Sequence, residues 1–182
     1  MTGPPRPTPP YPMYHPGDPL VMVPYTMDKL RTETVEALRL WGGPYTLWPL
    51  QAADPYAYAK FLAGAWNLGS DLMVIEHDML PAATDIRELL ACGELWCSVR
   101  YHVGNDQYVT GLGFCKFSAK LQRELPLAAQ HAAVHPAKAA GLMPWQGLNE
   151  AIERAISRRG VLIHVHPGVI EHLHYPVGDH AG

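Results

Sequence analysis

The chain has 182 residues, 48% hydrophobic and 17% charged, which is enough for one domain with its own core. A net charge of −3 with neutral histidines leaves no nucleic-acid footprint, and no apolar run approaches the ~20 residues that span a bilayer. Cys92, Cys97 and Cys115 are odd in number without CxxC spacing, and no charged n-region with an apolar h-region opens the chain. The expectation is a protein of a reducing compartment, the cytoplasm or a host cytoplasm, without a disulfide framework or zinc ribbon.

Residues 1–19 are dominated by proline, which lacks an N–H and fixes φ, so they read as an extended tail. Leu20-Val21-Met22-Val23 reads as a strand ended by Pro24, with Tyr25-Thr26 as the loop at its carboxyl end. Leu30, Val35, Leu38 and Trp41 fall near i, i+3, i+4 spacing, which predicts a helix over 28–41 capped by Thr26 or Asp28 and stopped by Gly42-Gly43-Pro44. Tyr45 to Leu50 reads as a second strand. Asp54-Pro55 opens a second helix to about Leu68, with Gly69 after it. Leu72 to Ile75 is a short apolar run of the kind buried on both faces of a parallel sheet.

The first half is therefore β-α-β-α-β with short loops, a parallel crossover pattern. Beyond it the sequence predicts a helix over 81–92 capped by Thr84 and a hairpin of strands 95–103 and 108–118. Residues 126–144 lack firm periodicity; a helix over 145–158 and extended segments 161–166 and 169–174 follow. Gly111 and Gly113 inside a strand mark close approach by a ligand or by backbone. The fold class read here is α/β: a three-layer α/β/α sandwich on a mostly parallel, Rossmann-like sheet with a mixed C-terminal part. One domain spans 20–176, between the proline-rich tail and a C-terminal tail, 177–182.

The chemistry concentrates where the third strand ends, in Glu76-His77-Asp78. In extended backbone Glu76 and Asp78 point the same way, and two such acids repel unless a cation, a proton or water stands between them. They are candidates to hold Mn2+ or Mg2+, hard cations suited to carboxylate oxygen, which would in turn hold a diphosphate. A solvated strand end or a helix cap would use the same residues. No GxGxxG and no Gly-rich P-loop offers another phosphate cradle. Of ten histidines, His164, His166, His172 and His174 cluster late. His172 or His174 is the candidate nitrogen ligand to join Glu76 and Asp78. The two HxH pairs could instead build a separate zinc or cupin-like site, although the helices at 28–41 and 56–68 argue against an all-β cupin.

Ala59-Lys60, then Gly69 through Asp78, resembles the core of GT-A glycosyltransferases over about residues 20–118. A helix with a basic residue, a glycine, an apolar strand and an acid-x-acid motif follow one another there. Glu76 stands in place of the first aspartate, and the chain is short for that family. The resemblance implies a metal-dependent transfer of a sugar from a nucleotide-sugar donor to a hydroxyl acceptor (a protein, glycan or small molecule), a hexosyltransferase-like activity. It implies that Glu76, His77 and Asp78 meet the donor through metal, and that Pro24, Tyr25 and Thr26 at the first strand's end hold the nucleotide. Tyr25 could stack on a base and Lys60 could reach a phosphate, though a solvated helix face suits Lys60 as well. Asp54 reads as a helix cap before it reads as a ribose contact. In inverting relatives an acid opens a late helix; Asn149 stands near that place, so Glu150 is the candidate base, with Asp106 in reserve. Trp96 and Trp145 could stack a sugar, but core packing is their commoner use. A nucleotidyltransferase-like enzyme on a similar sheet and a non-catalytic nucleotide- or sugar-binding module are the alternatives. Neither nucleic acid nor membrane is an expected partner.

Overall fold

The computed structural model describes residues 17–66, 68–103, 107–125 and 144–173. His174, Asp106 and the side chain of Trp145 lie outside the described residues, as do most of both tails. The strands are β1 (Leu20–Thr26), β2 (Thr46–Leu50), β3 (Leu72–Ile75), β4 (Met79–Leu80), β5 (Trp96–His102), β6 (Tyr108–Val109), β7 (Phe114–Phe117) and β8 (His164–His172). The helices are α1 (Thr32–Trp41), α2 (Ala57–Trp66), α3 (Ala83–Ala91), α4 (Ala119–Glu124) and α5 (Pro144–Ser157).

One open sheet runs in the order β2-β1-β3-β7-β5-β8-β4, with β6 on β5. It is parallel across β2-β1-β3, antiparallel through β3-β7-β5, parallel again at β5-β8 and antiparallel at β8-β4. Successive strand residues feed two cores. Met22, Leu72, Val74, Cys115 and Phe117 pack with Phe61, Leu62, Trp66, Leu121, Leu148 and Ile152, from α2, α4 and α5. Val21, Val23, Met73, Ile75, Val99 and Phe114 pack with Leu38, Ile86 and Leu89, from α1 and α3. That is why the early strands read as continuous apolar runs. The chain steps from β1 to β2 through α1 and back across β1 to β3 through α2. Right-handed crossovers in opposite directions put those two helices on opposite faces, which makes the layers three.

Several local expectations change. Pro24 does not end β1, which continues to Thr26 paired with β2; β3 pairs with β1 only up to Met22↔Val74, so the proline sits where one side of β1 has become an edge. Neither Thr26 nor Asp28 caps α1: residues 27–29 form a turn, and the helix starts at Thr32 with no side-chain cap. Its end is as read, with Gly42 at φ 78° and its N–H on the Leu38 carbonyl. Thr84 does not cap α3; Asp85 accepts from the Ala82 N–H at 2.7 Å instead. The strand expected over 108–118 is broken into β6 and β7 around Gly111, whose φ is +154°. The two extended segments at the end form one strand, β8, with a register shift opposite Val99/Arg100 that absorbs Pro167-Gly168.

Trp96 is 3% exposed and stacks on Phe117 with centroids 6.0 Å apart, so it belongs to the core and not to a sugar platform. Cys92 and Cys97 meet in disulfide contact, against the expectation of no bridge, and Cys115 is buried and free. Among the described residues no helix is long and apolar enough to cross a membrane.

Candidate functional site

The carboxyl ends of β1, β3, β5 and β8 share one edge of the sheet, because these strands run parallel to one another directly or through β7. Ligands of open α/β sheets gather at such an edge. Glu76, His77 and Asp78 lie there, but not in extended backbone. The Glu76 carbonyl accepts the Met79 N–H at 3.2 Å, so the three residues form a turn between β3 and β4. The argument that Glu76 and Asp78 share a face by strand alternation therefore fails: a turn has no period of two. Their proximity is made by packing instead.

The turn is pinned from both sides. The Arg31 N–H (3.2 Å) and the Thr34 hydroxyl (2.9 Å), both from the start of α1, donate to the His77 carbonyl. Here α1 begins without a side-chain cap because its first turn is docked on this loop. The Glu76 N–H donates to the Gly113 carbonyl at 2.8 Å, and the Leu173 N–H to the Asp78 carbonyl at 2.7 Å. Gly113 is a close-approach glycine, but it lies in the turn before β7 and not inside a strand, and side chains make the approach where a ligand or backbone was expected. A Cβ there would lie 2.8 Å from the Tyr101 ring and closer still to the end of Met79.

Strand β4 lies antiparallel on β8 with Met79 opposite His172, and this pairing brings the histidine to the turn. Asp78 Oδ2 stands 3.0 Å from His172 Nε2 and 3.9 Å from His77 Nε2. His172 Nδ1 lies 3.1 Å from the His102 carbonyl, which can only accept, so that nitrogen carries a proton. Burial alone would lower the His172 pKa, but the Asp78 hydrogen bond and the charges of Asp78 and Glu76 outweigh it and raise it. Burial likewise opposes an ionised Asp78, yet His172 and His77 hold its carboxyl below the usual range. The two form a carboxylate–imidazolium pair that orients Asp78. Its other oxygen, Oδ1, is buried and has no hydrogen-bond partner.

Glu76 is the strained acid. Desolvation first, and then the charge of Asp78, push its carboxyl up to about 7. Tyr58, from α2, and Tyr101, from β5, face it: burial and the Glu76 charge raise both phenols. The Tyr58 hydroxyl is close enough to ease Glu76 ionisation but short of a well-formed hydrogen bond. Burial lowers the His77 pKa, with Asp78 opposing and Lys29 assisting.

Pro24 and Tyr25–Thr26 end β1 at this same edge; Pro24 is buried, Tyr25 is half-buried, and Thr26 Oγ1 is buried without a partner. Lys60 is not at the turn. Its ammonium pairs with Asp54 Oδ2 at 2.7 Å, and Asp54 Oδ1 accepts the Tyr56 N–H, so Asp54 is the helix cap and Lys60 its exposed partner. Asn149 Oδ1 accepts the Leu112 N–H at 3.2 Å, which ties α5 to the loop that also holds Glu76. Glu150, the next residue, is exposed and lies 3.9 Å from Arg154 one turn on.

The donor set at the turn fits a hard divalent cation in its chemistry, and the orphaned Asp78 Oδ1 is the atom such a cation would satisfy. It does not form a ready three-ligand cage. Among the described residues, the group of three or more ligand atoms within 4.8 Å of one another is Cys92, His164 and His166, not Glu76, Asp78 and His172. Tyr58, Tyr101 and His102 were missed from sequence. Nothing local marks them, because their place follows from which strands pair.

The fold and site define a mixed α/β protein whose sheet presents two half-buried acids at its carboxyl edge. No protein-family model matches the chain, and no curated protein matches it. Among solved structures it is similar to A197 from STIV, with TM-score 0.49 and 13% identity over 61% of this chain and 70% of that one. It is also similar to a Bacillus anthracis protein assigned as a glucose-1-phosphate thymidylyltransferase and crystallised with sucrose, with TM-score 0.41 and 11% identity over 80% of this chain and 66% of that one.

Proposed function

We propose that the chain is a glycosyltransferase dependent on Mn2+ or Mg2+, moving a sugar from a nucleotide-sugar donor to a hydroxyl acceptor. The observation that supports this reading is Asp78: half-buried at the carboxyl edge, fixed through Oδ2 by His172, with Oδ1 buried and unpartnered and Glu76 held beside it against its own charge. Mg2+ keeps several waters and takes one or two protein carboxylates when a diphosphate supplies the rest, so a closed cage is not required. Asp78 and Glu76 would hold the cation, which neutralises charge on the departing nucleoside diphosphate. His172 then acts on Asp78 as an orienting partner, as ligand-supporting groups do elsewhere. Pro24, Tyr25 and Thr26 would border the donor, with Tyr25 against the base. Glu150 is the base in this reading, taking the acceptor hydroxyl's proton.

The test is a thermal-shift screen of nucleoside diphosphates with and without Mn2+, followed by release of free sugar from the matching nucleotide sugar. A nucleotide at one hundred times its dissociation constant stabilises by about 2.7 kcal/mol, a shift of several degrees. The expected result is a shift that requires Mn2+, with sugar release lost in Asp78→Asn and Glu76→Ala. Nucleotide binding indifferent to Mn2+, or sugar release retained in Asp78→Asn, would overturn the reading.

A further inference from the structure

We propose that Cys92, Cys97, His164 and His166 bind a zinc ion at the end of the sheet opposite the acids. This site is independent of the turn chemistry. In β5 and β8, Cys97 is level with His164 near the strands' amino ends, whereas His172 lies at the carboxyl end of β8. His164 and His166 are two apart on one strand, and their rings sit edge to face with centroids 4.8 Å apart. Cys92 follows the last residue of α3, so the Cys92–Cys97 loop folds over the same strand ends.

The ligand atoms of Cys92, His164 and His166 lie within 4.8 Å of one another, and the Cys97 sulfur touches that of Cys92. Around tetrahedral zinc, bond lengths of about 2.0–2.3 Å place ligand atoms about 3.3–3.8 Å apart. About 1 Å of side-chain adjustment brings Cys92, His164 and His166 to that spacing, and the Cys97 sulfur, next to that of Cys92, supplies the fourth ligand once the two sulfurs part. Two thiolates and two imidazoles are a common structural zinc set, and C-x4-C lies within its usual spacing.

Two further observations point to a ligand. His166 Nε2 is buried and has no hydrogen-bond partner, an orphan that a metal would satisfy. The Cα atoms of Cys92 and Cys97 stand 7.0 Å apart, wider than the usual range for a disulfide, a span that two thiolates on one metal accommodate. Exposed His164 leaves the metal a way in from solvent. A thiol reductant first returns the joined sulfurs to two thiols, and zinc then replaces the two thiol protons, which pass to solvent. It would staple the α3–β5 loop to β8, the strand that carries His172 to Asp78.

The test uses the full chain without a polyhistidine tag, purified under reducing conditions and reconstituted with Zn2+ or Co2+ alone. The expected result is about one tightly held zinc per chain and a cobalt spectrum with thiolate charge-transfer bands and tetrahedral d–d bands. Cys92→Ser and His166→Gln should each lose the zinc, and Glu76→Gln should keep it. The wild-type cobalt spectrum stands even if a variant fails to fold. Zinc at background level after reconstitution, a cobalt spectrum without sulfur bands, a Cys92–Cys97 disulfide that persists under reducing conditions, or full zinc retained in both variants would overturn the proposal.

Discussion

Glu76→Gln offers a sharp test of the electrostatics at the turn. Moving a carboxyl from its ordinary 4.5 up to about 7 means that the folded chain holds the proton more tightly than the unfolded one. The stability this gives is complete below pH 4.5 and is lost as pH rises through 7. At about 1.4 kcal/mol for each tenfold in proton affinity, the ionised folded state at pH 8 is penalised by about 3 kcal/mol. That figure is an upper bound, since water reaches part of this carboxyl. Glutamine keeps the shape and removes the charge. In a chain of this size each kcal/mol moves the melting temperature by about 2–4 °C, so the variant should melt up to about 6–12 °C above wild type at pH 8. Most of the gap should close by pH 5. Mn2+ should raise the wild type at pH 8 and leave the variant nearly unmoved, because the cation takes the place of the missing proton. Thermal melts followed by circular dichroism from pH 5 to 8 measure both effects. Parallel curves for the two proteins would show that burial and Asp78 do not strain Glu76, and the reasoning would fail.

Other perturbations probe the supports of the turn. Asp78→Asn should lower the titration midpoint of His172, followed by its ring resonances in NMR; the wild-type pair is strongest between the lowered Asp78 pKa and the raised His172 pKa, weakening as pH falls through the first or rises through the second. An unchanged midpoint would break the proposed pair. Thr34→Val removes a buried hydroxyl from the His77 carbonyl, which keeps the Arg31 N–H, and should cost about 1 kcal/mol in urea unfolding. Gly113→Ala places a methyl against Tyr101 and Met79 and should cost about 1–3 kcal/mol by the same assay.

The order β-α-β-α-β, the bounds of β3 and the acids at its end were legible from sequence alone. Periodicity and short apolar runs are local properties, and Leu72 to Ile75 are apolar because both faces of that strand are covered. That Gly113 is crowded was legible, since a missing Cβ is a local mark, but its place in a turn and the crowding by side chains in place of ligand or backbone were not. Nor were the approaching groups, Met79 and Tyr101. Tertiary structure alone decided that Glu76-His77-Asp78 is a turn, that Lys60 answers Asp54, and that His172 reaches Asp78 from 94 residues away. It also decided that Cys92 and Cys97 stand beside His164 and His166 at the far end of the sheet. The physical reason is the same in each case. A residue's own neighbours determine whether it extends or coils, but strand pairing and register determine what it meets, and those are settled by burying two cores at once.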